Sequence, residues 1–323
     1  MATAPPALAT GDAVESVLGR LRWADAQGIW PTGRRYLWTD GFGVVLLCAL
    51  AEHTGDDTHL DRAEAVVAEV DRVLGRPVGY RIGEAPDRHG QYFHYLTIWA
   101  FALAVLGRHR PGHRERAVGL VRAVHPRFVV PGRGIHWKML EDLSGPEPGF
   151  GLGALDPFQA LAVCRLLDGG TGELATEIAE VEALVESSWR HLAIRQDLGL
   201  GIMLWSASRC PGDEWARAHT ARSLEVLDAM WVEPAPEGGG YVCREPGHRQ
   251  VRFAFTNYGV AVGLQAAGAW PGRTEAILRC FDAYRSHDEY DREAITHVMG
   301  CVARLPGAFL PPGSDPVGHN PNG

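Results

Sequence analysis

Carboxylates, imidazoles and aromatic rings collect in two short stretches of this chain. One is Tyr36-Leu37-Trp38-Thr39-Asp40-Gly41-Phe42, and the other is Asp87-Arg88-His89-Gly90-Gln91-Tyr92-Phe93-His94-Tyr95. Each sets a carboxylate, a glycine and several rings ahead of a long apolar run. His136, Trp137, Glu141, Asp142, Phe150 and Asp156 gather before a third apolar run, and Asn257 and Tyr258 lie at the start of another. Two carboxyl groups flanking one cavity can hydrolyse a glycosidic bond, one of them held protonated as the acid. Asp40 and Asp87 precede successive apolar segments and form such a candidate pair, with Asp156 as a third member. Histidine titrates near neutrality and serves as general acid or base. His94 and His136 together would supply two bases for epimerising a sugar carbon. Trp38, Tyr36, Tyr92, Trp137, Asn257 and Tyr258 are the candidate substrate-binding residues, because sugars offer apolar C–H faces to rings and hydroxyls to polar groups.

Each of these residues also has a plainer reading. Asp40 and Asp156 stand where helix N-caps belong, and a cap satisfies orphan N–H groups without any catalysis. His94 falls about one turn into an apolar segment, where a hydrogen-bonded core histidine is equally at home. Tyr92 and Tyr258 compete with simple packing, and Asp87 with a solvated loop carboxylate. Arg34 and Arg35 suit an anion, or solvent.

Other chemistries are poorly signalled. The six cysteines, Cys48, Cys164, Cys210, Cys243, Cys280 and Cys301, stand singly with no C-x-x-C, so no zinc knuckle or disulfide framework is expected. Cys243 and His248 lack a second ligand pair. There is no G-x-S-x-G and no G-x-G-x-x-G after a strand. No metal and no cofactor are expected. The net charge of −8 argues against a nucleic-acid surface. Residues 1–10 lack the basic and apolar regions of a signal peptide, and no apolar run is long enough for a bilayer. A cytoplasmic protein with a small-molecule substrate and no membrane partner is expected. The oligomeric state stays open.

The elements that must position these groups are helical. Apolar content of 46% is ample for a core. Periodicity predicts helices over 11–27, 40–53, 58–74, 91–106, 113–124, 156–167, 173–194, 200–208, 213–231, 256–267, 273–285 and 288–305. Helices apolar on every side alternate with amphipathic, charged ones. The segment 233–252, with Gly238-Gly239-Gly240, reads as a β-hairpin flap. Turn glycines at 55, 112, 172, 212 and 272 recur every 40–60 residues, the mark of a helical repeat. Six buried and six exposed helices suit a closed double ring over 1–309, with a disordered tail at 310–323. An open solenoid would need polar caps. The last apolar helix, with Ile295, Val298, Met299, Cys301 and Val302, is no polar cap; pairing it with the first helix closes the ring.

At this point the chain resembles the six-hairpin glycosidase-like superfamily, the all-α (α/α)6 toroids. The resemblance covers Tyr36 to about Leu305. It rests on Trp38-Thr39-Asp40 opening an inner helix, and on the Thr54-Gly55-Asp56 turn followed by Leu60 and Ala63. Gly90-Gln91-Tyr92-Phe93-His94-Tyr95-Leu96-Thr97 is similar to a signature in bacterial members. The resemblance implies a pocket at the N-terminal ends of the inner helices, where loops 28–39, 75–90, 126–155, 232–255 and 286–289 gather. Such toroids include sugar hydrolases, uronyl hydrolases, polysaccharide lyases and epimerases, and cyclases share the barrel. The implied function is a carbohydrate-active enzyme, a glycoside hydrolase or related lyase using Asp40, Asp87, His94, His136 and Asp156. A sugar epimerase, a natural-product cyclase with an apolar chamber and a non-catalytic scaffold are the alternatives.

Overall fold

The computed structural model describes residues 10–231, 254–283 and 289–312. Among them are twelve α-helices: α1 Thr10–Ala26, α2 Leu37–Thr54, α3 Thr58–Leu74, α4 Phe93–Leu106, α5 His113–Phe128, α6 Asp156–Asp168, α7 Ala175–Ser188, α8 Asp197–Ser208, α9 Glu214–Met230, α10 Ala254–Ala266, α11 Pro271–Ala283 and α12 Ala294–Arg304. The predicted flap at 233–252, Asp288 and the tail beyond 312 lie outside the described residues.

The two helix types follow from their residues. In α2 every side chain from Leu37 to Ala51 is buried, which requires neighbours all round. In α3 only Leu60, Ala63, Val66, Val67, Val70 and Leu74 are buried, a single stripe three to four residues apart. Even-numbered helices form the inner ring. α2 packs on α4, α4 on α6, α6 on α8, α8 on α10, α10 on α12, and α12 returns to α2. Each inner helix also packs on one outer helix: α2 on α3, α4 on α5, α6 on α7, α8 on α9, α10 on α11 and α12 on α1. The double ring is closed. Between α8 and α10 the backbones nearly touch. A Cβ at Gly201 would sit 2.4 Å from the Gly259 oxygen, and one at Gly263 would sit 2.3 Å from the Gly201 oxygen.

Several boundaries differ from the sequence pattern. α5 runs on through Pro126 to Phe128, and α7 stops at Ser188. α12 starts at Ala294, after a 3-10 turn over Glu289–Arg292. The long 75–92 and 129–155 connections hold strands that periodicity does not reveal: β1 Gln91–Tyr92 pairs antiparallel with β4 Lys138–Met139, and β2 Val129–Val130 with β3 Gly134–Ile135. Two-residue strands are too short to show alternation.

The two ends of the barrel are unlike. Short turns join inner to outer helices, as at Gly55, whose φ of 69° closes α2 in the left-handed conformation. Long connections return to the N-terminal ends of the inner helices. At the short-turn end a second 3-10 turn, Gly307–Phe309, enters the ring. Phe309 stacks on Phe42 at 4.7 Å and meets Phe101 at 5.2 Å and Trp205 at 5.7 Å. Arg209 binds the Ala308 and Leu310 carbonyls. The centre of the barrel therefore has a floor made of rings.

Candidate active site

The long-connection end carries the clustered chemistry. His94 lies in the first turn of α4, seven residues before Phe101, so both project from one helix face. Asp156 is the first residue of α6. Their side chains meet, with His94 Nδ1 3.7 Å from Asp156 Oδ1. Both atoms are sealed from solvent and neither has a hydrogen-bond partner. The Asp156 side chain is 5% exposed and the His94 side chain 19%. His94 Nε2 makes no hydrogen bond among the described residues and is not a sealed atom. The pair is thus a dyad with one nitrogen buried against a carboxylate and the other open. The N-cap of α6 is Leu155, and no side chain caps the helix, so Asp156 is not spent on capping.

Gly153 makes room for this carboxylate. A Cβ there would stand 1.9 Å from Asp156 Oδ2 and 2.5 Å from its Cγ. The Gly153 N–H donates to Ile135 O at 2.8 Å, which anchors the loop to β3.

Rings wall the dyad. Trp38 lies 5.9 Å from His94 and Tyr92 5.2 Å, and Tyr95 adjoins it at 4.7 Å. Trp137 lies nearly parallel to His94 at 6.3 Å and stacks on Tyr92 at 5.4 Å. Phe150 meets Trp137 at 5.5 Å and Tyr92 at 6.4 Å. Trp137 is 41% exposed, so the shelf opens to solvent. The Tyr36 and Tyr95 hydroxyls share a hydrogen bond. Burial pushes the Tyr36, Tyr92 and Tyr95 phenols above their ordinary value, so they remain proton donors at neutral pH.

The other sequence candidates lie elsewhere. Asp40 is one turn inside α2, and the N-cap is Tyr36. Its Oδ1 accepts from Trp30 Nε1 at 2.8 Å and Arg35 Nη1 at 3.1 Å, and its Oδ2 accepts from Tyr36 N at 3.2 Å. Burial outweighs these donors and pushes its carboxyl up to about 6. Asp40 clamps the 30–36 loop onto α2 and is fully buried. Asp87 is exposed in the 75–92 connection. His136 is half-buried; among the described residues no ring contact or hydrogen bond joins it to His94. Tyr258 is fully buried and packs its ring against Phe281 of α11. Asn257 is 1% exposed with both amide atoms unpartnered. A Cβ on Gly259 of the same helix would meet Leu198 and Met299, and Asn257 stands about 160° round the helix from it. Glu141 is held by Arg76 at 2.6 Å and Arg81 at 3.2 Å.

Sequence reasoning passed over Tyr95, Lys138, Glu147 and Gly153. Lys138 is 4% exposed, with Nζ 4.9 Å from the Phe150 ring centre and 5.7 Å from that of Tyr92. Its position between Trp137 and a Gly/Pro-rich loop was the available signal. No group of three or more metal-ligating side chains occurs among the described residues. Cys243 and His248 lie outside them. The described cysteines are all free and buried, and burial pushes the Cys48, Cys164 and Cys301 thiols up to about 12. No helix of the described residues is long and apolar enough to cross a membrane. In a separate pocket of about 510 Å³ between α3, α5 and the 75–80 turn, Tyr80 and Arg116 are bonded to Asp71.

No protein-family model and no curated protein sequence matches the chain. Solved structures do. A GH76 α-mannanase of Bacteroides thetaiotaomicron superposes with a TM-score of 0.65 at 11% identity, covering 94% of this chain and 97% of that one. The chain is an (α/α)6 toroid. An inactive variant of a GH76 α-1,6-mannanase of Salegentibacter, with two adjacent aspartates replaced and α-1,6-mannotriose bound, matches with a TM-score of 0.58 at 12% identity, covering 92% of this chain and all of the other. A cellobiose 2-epimerase of Spirochaeta thermophila matches with a TM-score of 0.56 at 11% identity, covering 91% and 97% of the two chains.

Proposed function

We propose that this protein is a carbohydrate-active enzyme working by general acid–base chemistry, with His94 as the proton-transfer group and Asp156 as the carboxylate that orients it. The carrying observation is the His94–Asp156 contact at 3.7 Å, with both facing atoms buried and otherwise unpartnered. A carboxylate on Nδ1 fixes the tautomer and stabilises the imidazolium formed when Nε2 takes a proton. The exposed Trp137–Tyr92 shelf gives a sugar ring an apolar surface beside that nitrogen. The protonated phenols of Tyr92, Tyr36 and Tyr95 supply donors.

This arrangement favours removal of a proton from a sugar carbon, the first step of a lyase or an epimerase, over hydrolysis. Hydrolysis needs two carboxyl groups across the scissile bond. Asp40 has both oxygens engaged in a buried clamp. The adjacent aspartates in this sequence are Asp56 and Asp57, in the α2–α3 turn at the other end of the barrel. They offer no counterpart at this site to the pair replaced in the mannanase variant.

The test is to incubate wild type and His94→Gln with neutral and acidic oligosaccharides. Ultraviolet absorbance follows unsaturated products, proton NMR follows epimers, and a reducing-end assay follows hydrolysis. Loss of an unsaturated or epimerised product in His94→Gln by about 100-fold or more is expected for a general base. Hydrolysis that survives His94→Gln refutes the reading.

A further inference from the structure

Lys138 is an anomaly of the site wall. It is 4% exposed, yet among the described residues its ammonium makes no hydrogen bond and no ion pair. Its contacts are the ring faces of Phe150 and Tyr92, the same rings that form the shelf beside His94. A lysine so buried is costly unless an anion meets it. Cation–π contacts offset only part of that cost. Glu147 lies in the same region, since a Cβ on Gly90 would stand 2.8 Å from Lys138 Cε and 3.7 Å from Glu147 Oε2. Its Oε2 is itself sealed and unpartnered, and its Oε1 faces His89 Nε2 at 3.4 Å. Glu147 and Lys138 approach within no ion-pairing distance of each other. The Lys138 nitrogen is not a sealed atom, so what exposure remains includes the charge.

A second cation stands on the other flank. Arg88 lies over the Tyr36 ring at 4.1 Å, and Tyr36 bonds Tyr95, which adjoins Tyr92. Among the described residues its guanidinium makes no hydrogen bond and a single ion pair, with Glu293, long at 3.7 Å. The run Tyr36–Tyr95–Tyr92 is therefore bracketed by two cations, Lys138 with no ion pair among the described residues and Arg88 with a single long one. Rings with flanking cations suit a sugar that carries its own carboxylate.

We infer that Lys138 binds the carboxylate of a uronic-acid residue, so that the substrate class is an acidic saccharide. The inference rests on the saccharide reading above and narrows it. A carboxylate neutralised by Lys138 would also leave the adjoining carbon more acidic, which is the proton a His94 base would remove. Lys138 is a binding residue in this account, and the proton moves only to His94.

The test is calorimetric titration of D-glucuronate and D-galacturonate against D-glucose and D-galactose, with melting curves of the unliganded proteins. Wild type is expected to prefer the uronates. Lys138→Met is expected to weaken uronate binding roughly 10- to 100-fold, leave neutral sugars unchanged, and raise the melting temperature by about 2–4 °C, because a buried unpaired charge has gone. Glu147→Gln is expected to hold or strengthen uronate binding. If wild type binds neutral sugars as tightly as uronates, or Lys138→Met keeps the preference, Lys138 is not the reader and the saccharide reading survives alone. If Lys138→Met and Glu147→Gln both lower the melting temperature, the two form a structural pair and the inference falls. If no sugar binds wild type, both readings fall together.

Discussion

Replacing Gly153 with alanine separates the geometry of the dyad from the stability of the fold. The Gly153 backbone is outside the left-handed region, so alanine meets no torsional penalty there. The conflict is steric and local. The new Cβ would lie 1.9 Å from Asp156 Oδ2, 2.5 Å from Cγ and 3.2 Å from Oδ1. Ordinary carbon–heavy-atom contacts need about 3.5 Å, so the carboxylate must retreat by roughly 1.5 Å. The loop cannot give way as easily, because Gly153 N–H is bonded to Ile135 O. Asp156 stands at the first position of α6, where its side chain can swing clear. His94 then loses the carboxylate now 3.7 Å from Nδ1. A displacement of about 1 Å in a catalytic group can cost about 100-fold in rate. Global stability should change by less than about 1 kcal/mol, since alanine also restricts the unfolded chain.

Two assays read this out. Turnover should fall about as far in Gly153→Ala as in Asp156→Asn, and the double variant should be no worse than either, because both remove one interaction. Independently of substrate, the ring-nitrogen chemical shifts of His94 should move in Gly153→Ala in the direction they move in Asp156→Asn. Wild-type turnover in Gly153→Ala refutes the role given to Asp156. Additive losses in the double variant refute the claim that Gly153 acts through it.

Asp40→Asn takes the counter-ion from the buried Arg35 guanidinium but also removes a charge whose burial outweighs its donors, two effects of opposite sign, so the loss at pH 7.5 should stay under about 2 kcal/mol in chemical denaturation. Because the folded Asp40 carboxyl is raised from 3.8 to about 6, the native state holds a proton the unfolded chain lacks between those values, so this group stabilises the fold increasingly as pH falls through 6. The stability gap to Asp40→Asn should widen by about 2–3 kcal/mol from pH 7.5 to 4.5, and a gap that narrows contradicts the assignment. Phe309→Ala empties the floor between Phe42, Phe101 and Trp205 and should cost about 3–5 kcal/mol; a loss under about 1 kcal/mol would show that the 3-10 turn is not seated. Asp168 accepts from the Leu174, Gly172 and Gly170 N–H groups, which hold its carboxyl below its ordinary value. Asp168→Ala should lower the melting temperature at neutral pH, and the difference should fade as pH falls through that lowered value, since the protonated acid accepts poorly. A difference constant down to pH 2 would argue against these bonds.

The ring was legible because its signal is periodic. A helix buried all round, such as α2, shows no polar face, and α3 shows a single stripe. Loop asymmetry likewise singled out the end of the barrel where the long connections gather. The site was legible in its residue types but not in its pairings. His94 and Asp156 are 62 positions apart, and nothing local says that their side chains meet. Asp40 looked like a cap because it opens an apolar run; the run begins three residues earlier, at Leu37, and tryptophan and arginine use its carboxylate instead. Tyr258 and Asn257 sit in the first turn of an inner helix, as a site residue should. A one-residue step turns a helical side chain by 100°, and position alone does not choose the face. Lys138 was passed over because its significance is a missing partner, which only coordinates reveal.

Closure of the ring and one wall of the dyad share the same contacts in this fold. Trp38 packs on His94, and its Nε1 donates to Met299 Sδ at 3.4 Å across 261 residues of chain. Met299 belongs to α12, the helix that returns to α2. Below Trp38, Phe42 lies at 5.0 Å, and Phe309, from the segment after α12, stacks beneath Phe42. A column of rings thus runs from the segment after α12 up to the imidazole. Its lower members are held by α12 and by Arg209 of the α8–α9 turn, so an unclosed ring leaves Trp38 without a floor and His94 without one wall. The dyad itself joins neighbouring helices α4 and α6, yet one of its walls is held by a contact between α2 and α12.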